Sequence, residues 1–508
     1  MGELPTADFV RFPANAGIQS QAEYDRRLLG LWAPACAGEQ EASQIAAHLP
    51  ARVALRRTIW QAVVMTRSWV SVARLRALGW LRGRKDGRDL ALGVFRRRMA
   101  TGIGAVLLGL IALLFAKAGD WAQHVFAQGV ARWPYAPLLL SPAIFAVITW
   151  ATLRWVPQAR GSGIPQVIAA SRTPERSSLG PLVSLRTAFA KIAMTVTMLF
   201  AGASVGREGP TVQVSAAIMI AVHRLLRVPI TAGVLIAGGA AGVAAAFNTP
   251  LAGVAFAIEE LASAYEQRVA VLVMAAVMIS GLVSLGIAGD YVYFGQMRQT
   301  LPILSVLLIC PVAGVVGGVS GGLFSRIVLA FGAPKHPWLR RLRSRPVLFS
   351  AGCGLVVAVL GIVSGGELWG TGYDTTKHLV EGASGSLWFG PGKAIATLAT
   401  TLSGTPGGIF APSLAVGAGI GHLVAAAFPN DPGGAVVTLG MVAYFVGVVR
   451  APLTAVIIIT ETTASRGMIL PLFATALIAD AVSAVISPER LYHGLSRGFI
   501  EPAPPARP

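Results

Sequence analysis

Gly206-Arg207-Glu208-Gly209-Pro210 decides the fold of this sequence, because it places a charged pair and a proline directly before an uncharged apolar stretch. Proline is favoured in the first turn of a helix, where its missing N–H is not needed. The motif therefore predicts a loop that leads into a helix start. Helix starts carry unpaired N–H groups and about half a positive charge, so they bind anions without a cationic side chain.

Two further motifs have the same form. They are Gly161-Ser162-Gly163-Ile164-Pro165 and Gly407-Gly408-Ile409-Phe410-Ala411-Pro412. Three such helix starts in one chain predict an anion site built from backbone amides. Three tight turns between packed helices remain the alternative on spacing alone, because Gly/Pro turns are common.

The composition around these motifs belongs to a membrane protein. Of 508 residues, 54% are hydrophobic and 13% are charged, whereas a soluble domain has about a quarter charged residues. The apolar content excludes a disordered chain, and the three cysteines exclude a disulfide-built scaffold. An all-α polytopic membrane protein remains.

Uncharged runs mark where the chain crosses the membrane. The first is Met99–Ala116, after the basic run Arg96–Arg98. The later runs are Ile230–Ile258, Val269–Gly289, Thr300–Ser325, Pro346–Gly366, Ala394–Asn430 and Gly433–Val449. Asn248-Thr249-Pro250 interrupts one run, and Gly404–Gly408 with Pro412 interrupts another. Broken helices are tolerated in a membrane only where they are buried in protein or face a polar cavity, so they indicate a transport site.

The net charge of +19 is grouped beside the apolar runs. Basic clusters next to spans are typical of cytoplasmic loops, so we expect a cytoplasmic N-terminus. Residues 1–98 form a basic N-terminal region, in which 51–81 predicts either an amphipathic helix on anionic lipid or a soluble helix pair. We do not expect nucleic-acid binding, because no RNA-reading motif accompanies the charge.

The three motifs, together with two further segments, resemble sequences of the CLC family of chloride channels and transporters. The segment Asn248–Gly253 running to Glu259-Glu260, and the segment Arg450–Thr454 followed by Glu461, are similar to family sequences. Leu491-Tyr492 lies where the family has its last-helix tyrosine. The resemblance covers about residues 99–500.

The resemblance implies a homodimer with one anion pathway in each subunit. Each subunit would have two halves of inverted topology, at about 99–290 and 300–500, followed by a short Pro-rich tail at 501–508. We do not expect the regulatory domains of many eukaryotic members, so the resemblance suggests a multi-pass protein of a bacterial inner membrane. Chloride, protons and membrane lipid would be its partners, and no cofactor or metal is expected.

The resemblance also assigns residues to the site. Ser162 and Tyr492 would offer hydroxyl groups to chloride, Ile409 and Phe410 would offer backbone N–H groups, and Glu208 would be the gating carboxylate. The accompanying motif positions are Gly161, Gly163, Ile164, Pro165, Gly206, Arg207, Gly209, Pro210, Gly408 and Pro412. We expect Arg207 to set the local potential and brace the loop rather than bind the anion.

Two adjacent glutamates complete the predicted site. Glu259 and Glu260 end an apolar stretch, and neighbours on a helix point about 100° apart, so they cannot share one face. Glu260 matches the inner proton-transfer position of the family, with Glu259 beside it. Together with Glu208 they would move protons, which favours a chloride/proton antiporter. Without the resemblance, a helix end reaching water explains the pair equally well.

Three other functions compete with the antiporter. The first is a passive voltage- or pH-gated chloride channel of the same fold. The second is a fluoride-exporting relative, against which Ser162 argues. The third is an intramembrane serine protease with Ser320 as nucleophile, because Gly318–Gly322 fits G-x-S-x-G. That motif needs a strained turn or a histidine partner, which its glycine-rich context does not predict.

Overall fold

The computed structural model describes residues 85–172, 180–261, 267–289, 292–334 and 336–500. The predicted helix at 51–81 and the tail at 501–508 lie outside these residues. The first helix, α1, begins at Lys85 and continues to Arg132. It therefore crosses the predicted boundary at residue 98, and Arg96–Arg98 are part of the helix rather than of a preceding loop.

The described residues fold into helices joined by short turns. In the first half these are α1 Lys85–Arg132, α2 Pro137–Trp155, α3 Ile164–Arg172, α4 Leu185–Phe200, α5 Glu208–Leu225, α6 Ala232–Phe247, α7 Pro250–Phe256 and α8 Gln267–Ala288. In the second half they are α9 Ile303–Gly332, α10 Pro337–Ser344, α11 Pro346–Val363, α12 Tyr373–Val380, α13 Phe389–Leu402, α14 Phe410–Ala427, α15 Gly433–Val449, α16 Pro452–Thr463, α17 Ile469–Ile486 and α18 Leu491–Ser496. Short 3₁₀ turns lie at Pro157–Ala159, Pro181–Val183, Arg466–Met468 and Arg497–Phe499, and one π-turn lies at Ala257–Leu261.

Seven helices of the described part are long and apolar enough to cross a membrane. They run within α1, α2, α8, α9, α11, α14 and α17. Their outer surfaces carry exposed aliphatic side chains such as Leu139 (82%), Leu307 (66%) and Val363 (83%). Such apolar surfaces are stable in contact with lipid but not in contact with water. The chain is therefore an all-α multi-pass membrane protein.

The predicted helix breaks are confirmed. α6 ends at Phe247, Asn248 takes a left-handed conformation with φ 58°, and α7 begins at Pro250. The second predicted break separates α13, which ends at Leu402, from α14. Both breaks lie within buried protein, where other groups can satisfy the interrupted backbone.

The two halves repeat the same order of helices at a similar offset in sequence. α5, α6 and α7 begin at Glu208, Ala232 and Pro250, and their counterparts α14, α15 and α16 follow in the second half with the same turns between them. Arg450, like Asn248, precedes its helix start in a left-handed conformation, with φ 63°. This repeated order agrees with an internal repeat of two halves.

Glycine allows the central helices to pack closely. A methyl group on Gly417 of α14 would lie 2.6 Å from the Met441 Cα of α15, and one on Gly318 of α9 would lie 2.8 Å from the Ala479 carbonyl oxygen of α17. Small residues at these positions let the helix backbones approach closely. Ser320 lies inside α9 and donates a hydrogen bond to the Val316 carbonyl of the same helix, so it lacks the strained turn of a nucleophile elbow.

Candidate anion and proton site

Backbone hydrogen bonds join the three Gly/Pro motifs. Gly206 and Gly408 exchange two bonds, with N–H to oxygen distances of 2.7 and 2.8 Å. The Gly161 N–H donates to the Thr405 carbonyl at 3.2 Å, and the Gly407 N–H donates back to the Gly161 carbonyl at 3.1 Å. Motifs separated by hundreds of residues therefore meet in one cluster, at the starts of α3, α5 and α14.

Two glycines are required for this close approach. A methyl group on Gly408 would lie 2.9 Å from the Pro210 Cδ and 3.0 Å from the Gly206 carbonyl oxygen. Gly163 has a φ of 105°, which L-residues rarely adopt, and a methyl group there would lie 2.9 Å from the Gln213 Cβ. The glycines of the motifs therefore bring the helix starts together.

The hydroxyl groups of Ser162 and Tyr492 meet beside these helix starts. Ser162 precedes α3, and Tyr492 lies in the first turn of α18. The two side chains face each other, yet neither hydroxyl makes an aligned hydrogen bond within the described residues. Because a buried hydroxyl without a partner costs free energy, both are available as donors to a bound anion.

The third motif contributes a helix start and an aromatic wall. Ile409 caps α14, whose first-turn N–H groups have no partner within the helix. The Phe410 ring contacts Phe256, Phe445 and Tyr492, with ring centroids 5.8, 4.9 and 6.0 Å apart. These rings place apolar surface beside the helix start, where electrostatic interactions are stronger than in water.

The Glu208 carboxylate occupies the N-terminus of α14. Its side chain is fully buried, and its Oε2 accepts a hydrogen bond from the Ala411 N–H at 3.4 Å. The Tyr293 phenol lies within hydrogen-bonding reach of the same carboxylate. A carboxylate on a helix start takes the place that a free anion would otherwise occupy.

Arg207 points away from this carboxylate site toward α1. Its Nη1 donates to the Ala116 carbonyl and, at 2.7 Å, to the Asp120 carboxylate. The Arg207 side chain is 9% exposed, whereas that of Asp120 is 63% exposed. Arg207 therefore fixes the loop before α5 to α1 and supplies a buried positive charge next to Glu208.

The adjacent glutamates Glu259 and Glu260 diverge, as their spacing predicts. The Glu259 carboxylate accepts bonds from the Leu453 N–H at 2.9 Å, the Thr454 N–H at 2.6 Å and the Thr454 hydroxyl at 2.7 Å. These contacts cap the start of α16. The sequence grouped Glu259 with the proton-transfer residues, but three donors hold its carboxylate, and this geometry favours helix capping instead.

Glu260 lies in a different environment. Its side chain is fully buried, and His493 Nδ1 lies 3.3 Å from its Oε1. That distance is within ion-pair range, but the geometry gives no aligned hydrogen bond to either carboxylate oxygen among the described residues. Glu260 is therefore a buried acid whose described contact is one partly exposed imidazole.

Two cavities approach the motif cluster and share no lining residue within the described chain. The first, the Ser162 vestibule, has a volume of 540 Å³ and is lined by Ser162, Tyr492 and the basic residues Arg160, Arg343 and Arg497. Burial, together with the nearby Arg343, lowers the pKa of Arg160, although the group stays charged. The second, the Asp120 vestibule, has a volume of 870 Å³ and its lining includes Arg207 and Tyr293.

A family model described as voltage gated chloride channel matches residues 143–484. The chain belongs to the voltage-gated chloride channel family.

Relatives of this family member include transporters named H(+)/Cl(-) exchange transporter ClcA. The protein from Vibrio cholerae serotype O1 is 31% identical over 414 residues, which are 77% of this chain and 86% of the relative. That from Citrobacter koseri is 30% identical over 420 residues, which are 78% and 86% of the two chains.

Solved structures of the same family share its fold. A slow cyanobacterial Cl⁻/H⁺ antiporter superposes with a TM-score of 0.68 at 24% identity, over 80% of this chain and 98% of that one. A CLC-type fluoride/proton antiporter superposes with a TM-score of 0.66 at 20% identity, over 82% and 99%. At these identities the superpositions establish the fold alone.

Two buried lysines were missed by the sequence reasoning. Lys191 Nζ donates to the carbonyls of Ala159 and Gly161 at 2.6 and 2.7 Å. Lys393, at the matching position of the second half, donates to three consecutive carbonyls, those of residues 368 to 370, at 2.8–3.2 Å. Each of these lysines is a single charge within an apolar segment, and this pattern could have indicated a buried functional or structural cation. His493, Asp120 and Tyr293 gave no such signal, because only the tertiary fold brings them to the site.

Proposed function

We propose that this protein exchanges chloride for protons across a membrane, with Glu208 as the gate. The observation that carries the proposal is the Glu208 carboxylate at the N-terminus of α14, where it would compete with an anion. The curated relatives, aligned over 86% of their length, are named as H(+)/Cl(-) exchangers, which supports the same reaction here.

The anion would enter through the Ser162 vestibule. Its three arginines, Arg160, Arg343 and Arg497, would raise the local anion concentration. Farther in, the Ser162 and Tyr492 hydroxyls and the first N–H groups of α14 would hold chloride. Neutral donors hold an anion weakly enough to let it leave, which conduction requires.

The proton would reach Glu208 by a route that separates from the anion route. Glu260 is buried and is not among the residues that line the Ser162 vestibule. Protonation of Glu208 neutralises its carboxylate and releases the N-terminus of α14 to chloride. Its return to the charged form expels the anion, so each ion would gate the other.

Assembly and orientation are part of the proposal. We infer a homodimer with one pathway in each subunit, a bacterial inner-membrane location and a cytoplasmic N-terminus, from the basic run Arg96–Arg98 at the start of the first span. We expect the exchange to need no cofactor, because side-chain and backbone groups of the chain itself would bind the anion and the proton. Cross-linking in membranes and cysteine accessibility at Arg98→Cys test the dimer and the orientation separately.

Ion exchange is tested with the purified protein in liposomes. A chloride gradient alone should drive protons uphill in the opposite direction, which a pH-sensitive dye inside the liposomes reports. Chloride movement with a reversal potential that ignores pH would contradict exchange and identify a passive channel. Proton movement driven by fluoride but not by chloride would identify a fluoride exporter.

A further inference from the structure

Glu260 has no direct contact with solvent through which to exchange protons. Its side chain is fully buried, and neither carboxylate oxygen has an aligned hydrogen-bond partner among the described residues. A buried carboxylate in this state is costly unless it is protonated or paired with a cation. The question is therefore which group delivers the proton.

His493 is placed to deliver it. Its Nδ1 lies 3.3 Å from the Glu260 Oε1, and its side chain is 30% exposed, so the ring spans from an accessible surface to the buried acid. The imidazole is the side chain that most readily gains and loses a proton near neutral pH. Of its two nitrogens, one faces Glu260, and the other lies on the opposite edge of the ring.

The short helix α18 presents its two ring side chains to different partners. Tyr492 faces Ser162 in the anion vestibule, and the next residue, His493, faces Glu260. Neighbours on a helix diverge by about 100°, so the two side chains leave the same turn in different directions. The Ser496 hydroxyl fixes this turn by donating to the His493 carbonyl at 2.7 Å.

Two further charges act on the Glu260 carboxylate besides His493, those of Arg490 and Glu259. Arg490 donates to the Glu259 carbonyl at 3.3 Å, and Glu259 itself is held by its donors on α16. Glu489 pairs with Arg497 at 3.0 Å. Other charged or titratable groups on elements packed against α18 are Arg172 in α3, Arg326 in α9 and Tyr444 in α15.

We propose that His493 passes protons between the solvent and Glu260. A proton from water binds the outer ring nitrogen, and the ring, now doubly protonated, gives its Nδ1 proton to the Glu260 carboxylate. The neutral imidazole that remains returns to its starting form by exchange with water, so no other reactant is needed. This step rests on the proposed exchange of chloride for protons.

The test compares His493→Ala and His493→Gln with His422→Ala in liposomes. His422 is a matched control, because it lies in the second half of the chain and its ring nitrogen contacts the Gly385 carbonyl, away from Glu260. We expect at least a fivefold lower ratio of proton to chloride flux in both His493 variants and an unchanged ratio in the control. Imidazole added to the bath should restore proton flux in His493→Ala, because the partly exposed site can admit it.

The outcomes separate this inference from the proposed function. If the unmodified protein moves no protons against a chloride gradient, the exchange itself fails. If it does, and both His493 variants keep the native flux ratio, His493 is not the carrier. Lowered proton flux that imidazole does not restore, with an altered size-exclusion profile, would assign His493 a structural role and overturn the proposal.

Discussion

Glu208 and Ala411 belong to different halves of the chain, yet the Glu208 Oε2 accepts a hydrogen bond from the Ala411 N–H at 3.4 Å. Ala411 lies in the first turn of α14, where unpaired N–H groups attract negative charge. A carboxylate and an anion compete for such a position, and protonation of the carboxylate decides between them. This contact is therefore the structural basis of the proposed link between proton binding and anion binding.

Glu208→Gln tests that link. The amide keeps the shape of the protonated acid and cannot regain its charge, so we expect chloride transport to continue without pH dependence and proton transport to stop. Paired chloride and proton flux in liposomes, from acidic to neutral pH, measures both effects. Glu381→Gln removes a carboxylate at an exposed position and should change neither. Continued proton pumping by Glu208→Gln would remove Glu208 from the proton route.

Ser162→Ala and Tyr492→Phe test the hydroxyl donors. A hydrogen bond to a charged group is worth about 1.5–3 kcal/mol, so each variant should bind chloride about tenfold more weakly or worse. Isothermal calorimetry on purified protein measures the affinity. Tyr135→Phe is the control, since Tyr135 is 73% exposed. Native affinity in both site variants would place the anion elsewhere.

The motifs predicted the helix starts because their information is local. Glycine and proline restrict the backbone within a few residues, and α3, α5 and α14 begin at Ile164, Glu208 and Phe410, inside the three motifs. The run Gly433–Val449 likewise matches the bounds of α15. Backbone chemistry of this kind is readable from a single sequence.

The partners of the charged groups could not be predicted from local sequence. Glu260 meets His493 and Arg207 meets Asp120 only after distant helices pack together. Adjacent glutamates look alike in sequence, so the capping contacts of Glu259 could not be told from the isolation of Glu260. Lys393 differed, because a cation within an apolar segment implies a buried partner even before that partner is known.

Glu259→Ala and Glu260→Gln should separate the neighbouring glutamates. Glu259→Ala leaves the start of α16 without its charged acceptor, which should lower the free energy of unfolding by about 1.5–3 kcal/mol and leave the flux ratio unchanged. Glu260→Gln should stop proton transport with little loss of stability. Chloride flux should keep more of its pH response, because Glu208 can still titrate. Thermal unfolding in detergent and paired fluxes measure the two variants, and the opposite assignment of effects would reverse their roles.

Glu461→Ala provides a matched case for the cap. Its carboxylate accepts bonds from the N–H groups of Leu251 and Ala252 at 3.3 and 3.0 Å, at the start of α7. Glu259 and Glu461 each lie near the end of one helix segment and cap the counterpart segment, so the two caps are reciprocal. Destabilisation by Glu259→Ala without any by Glu461→Ala would contradict this symmetry.

Lys393→Met and Lys191→Met test the buried ammonium groups. Lys393 satisfies three carbonyls and Lys191 two, and each buried carbonyl left without a donor costs about 1–3 kcal/mol. Both variants should unfold at lower temperature, Lys393→Met by more. Lys377→Met, at a partly exposed position, is the control. Equal stability of all three proteins would show that water replaces the lost donors.

Asp120→Asn tests how Arg207 acts on the gate. The Asp120 carboxylate lies 2.7 Å from the Arg207 guanidinium and partly neutralises a cation that is next to Glu208 in sequence. Without that neutralisation, the field of Arg207 favours the charged form of Glu208 more strongly. A lower pH is then needed to protonate Glu208, and the midpoint of chloride flux against pH should move down by up to about 1 unit, since one unit equals about 1.4 kcal/mol.

Asp374→Asn controls for charge alone, because Asp374 lines the same Asp120 vestibule and should leave the midpoint in place. High salt should reduce the shift in Asp120→Asn, because Asp120 is 63% exposed and therefore screened. A shift of equal size in both variants would mean that the vestibule as a whole, and not the Asp120–Arg207 pair, sets the potential at the gate. A midpoint that moves to higher pH would mean that the Arg207 side chain moves away from Glu208 in the variant and no longer stabilises the charged carboxylate.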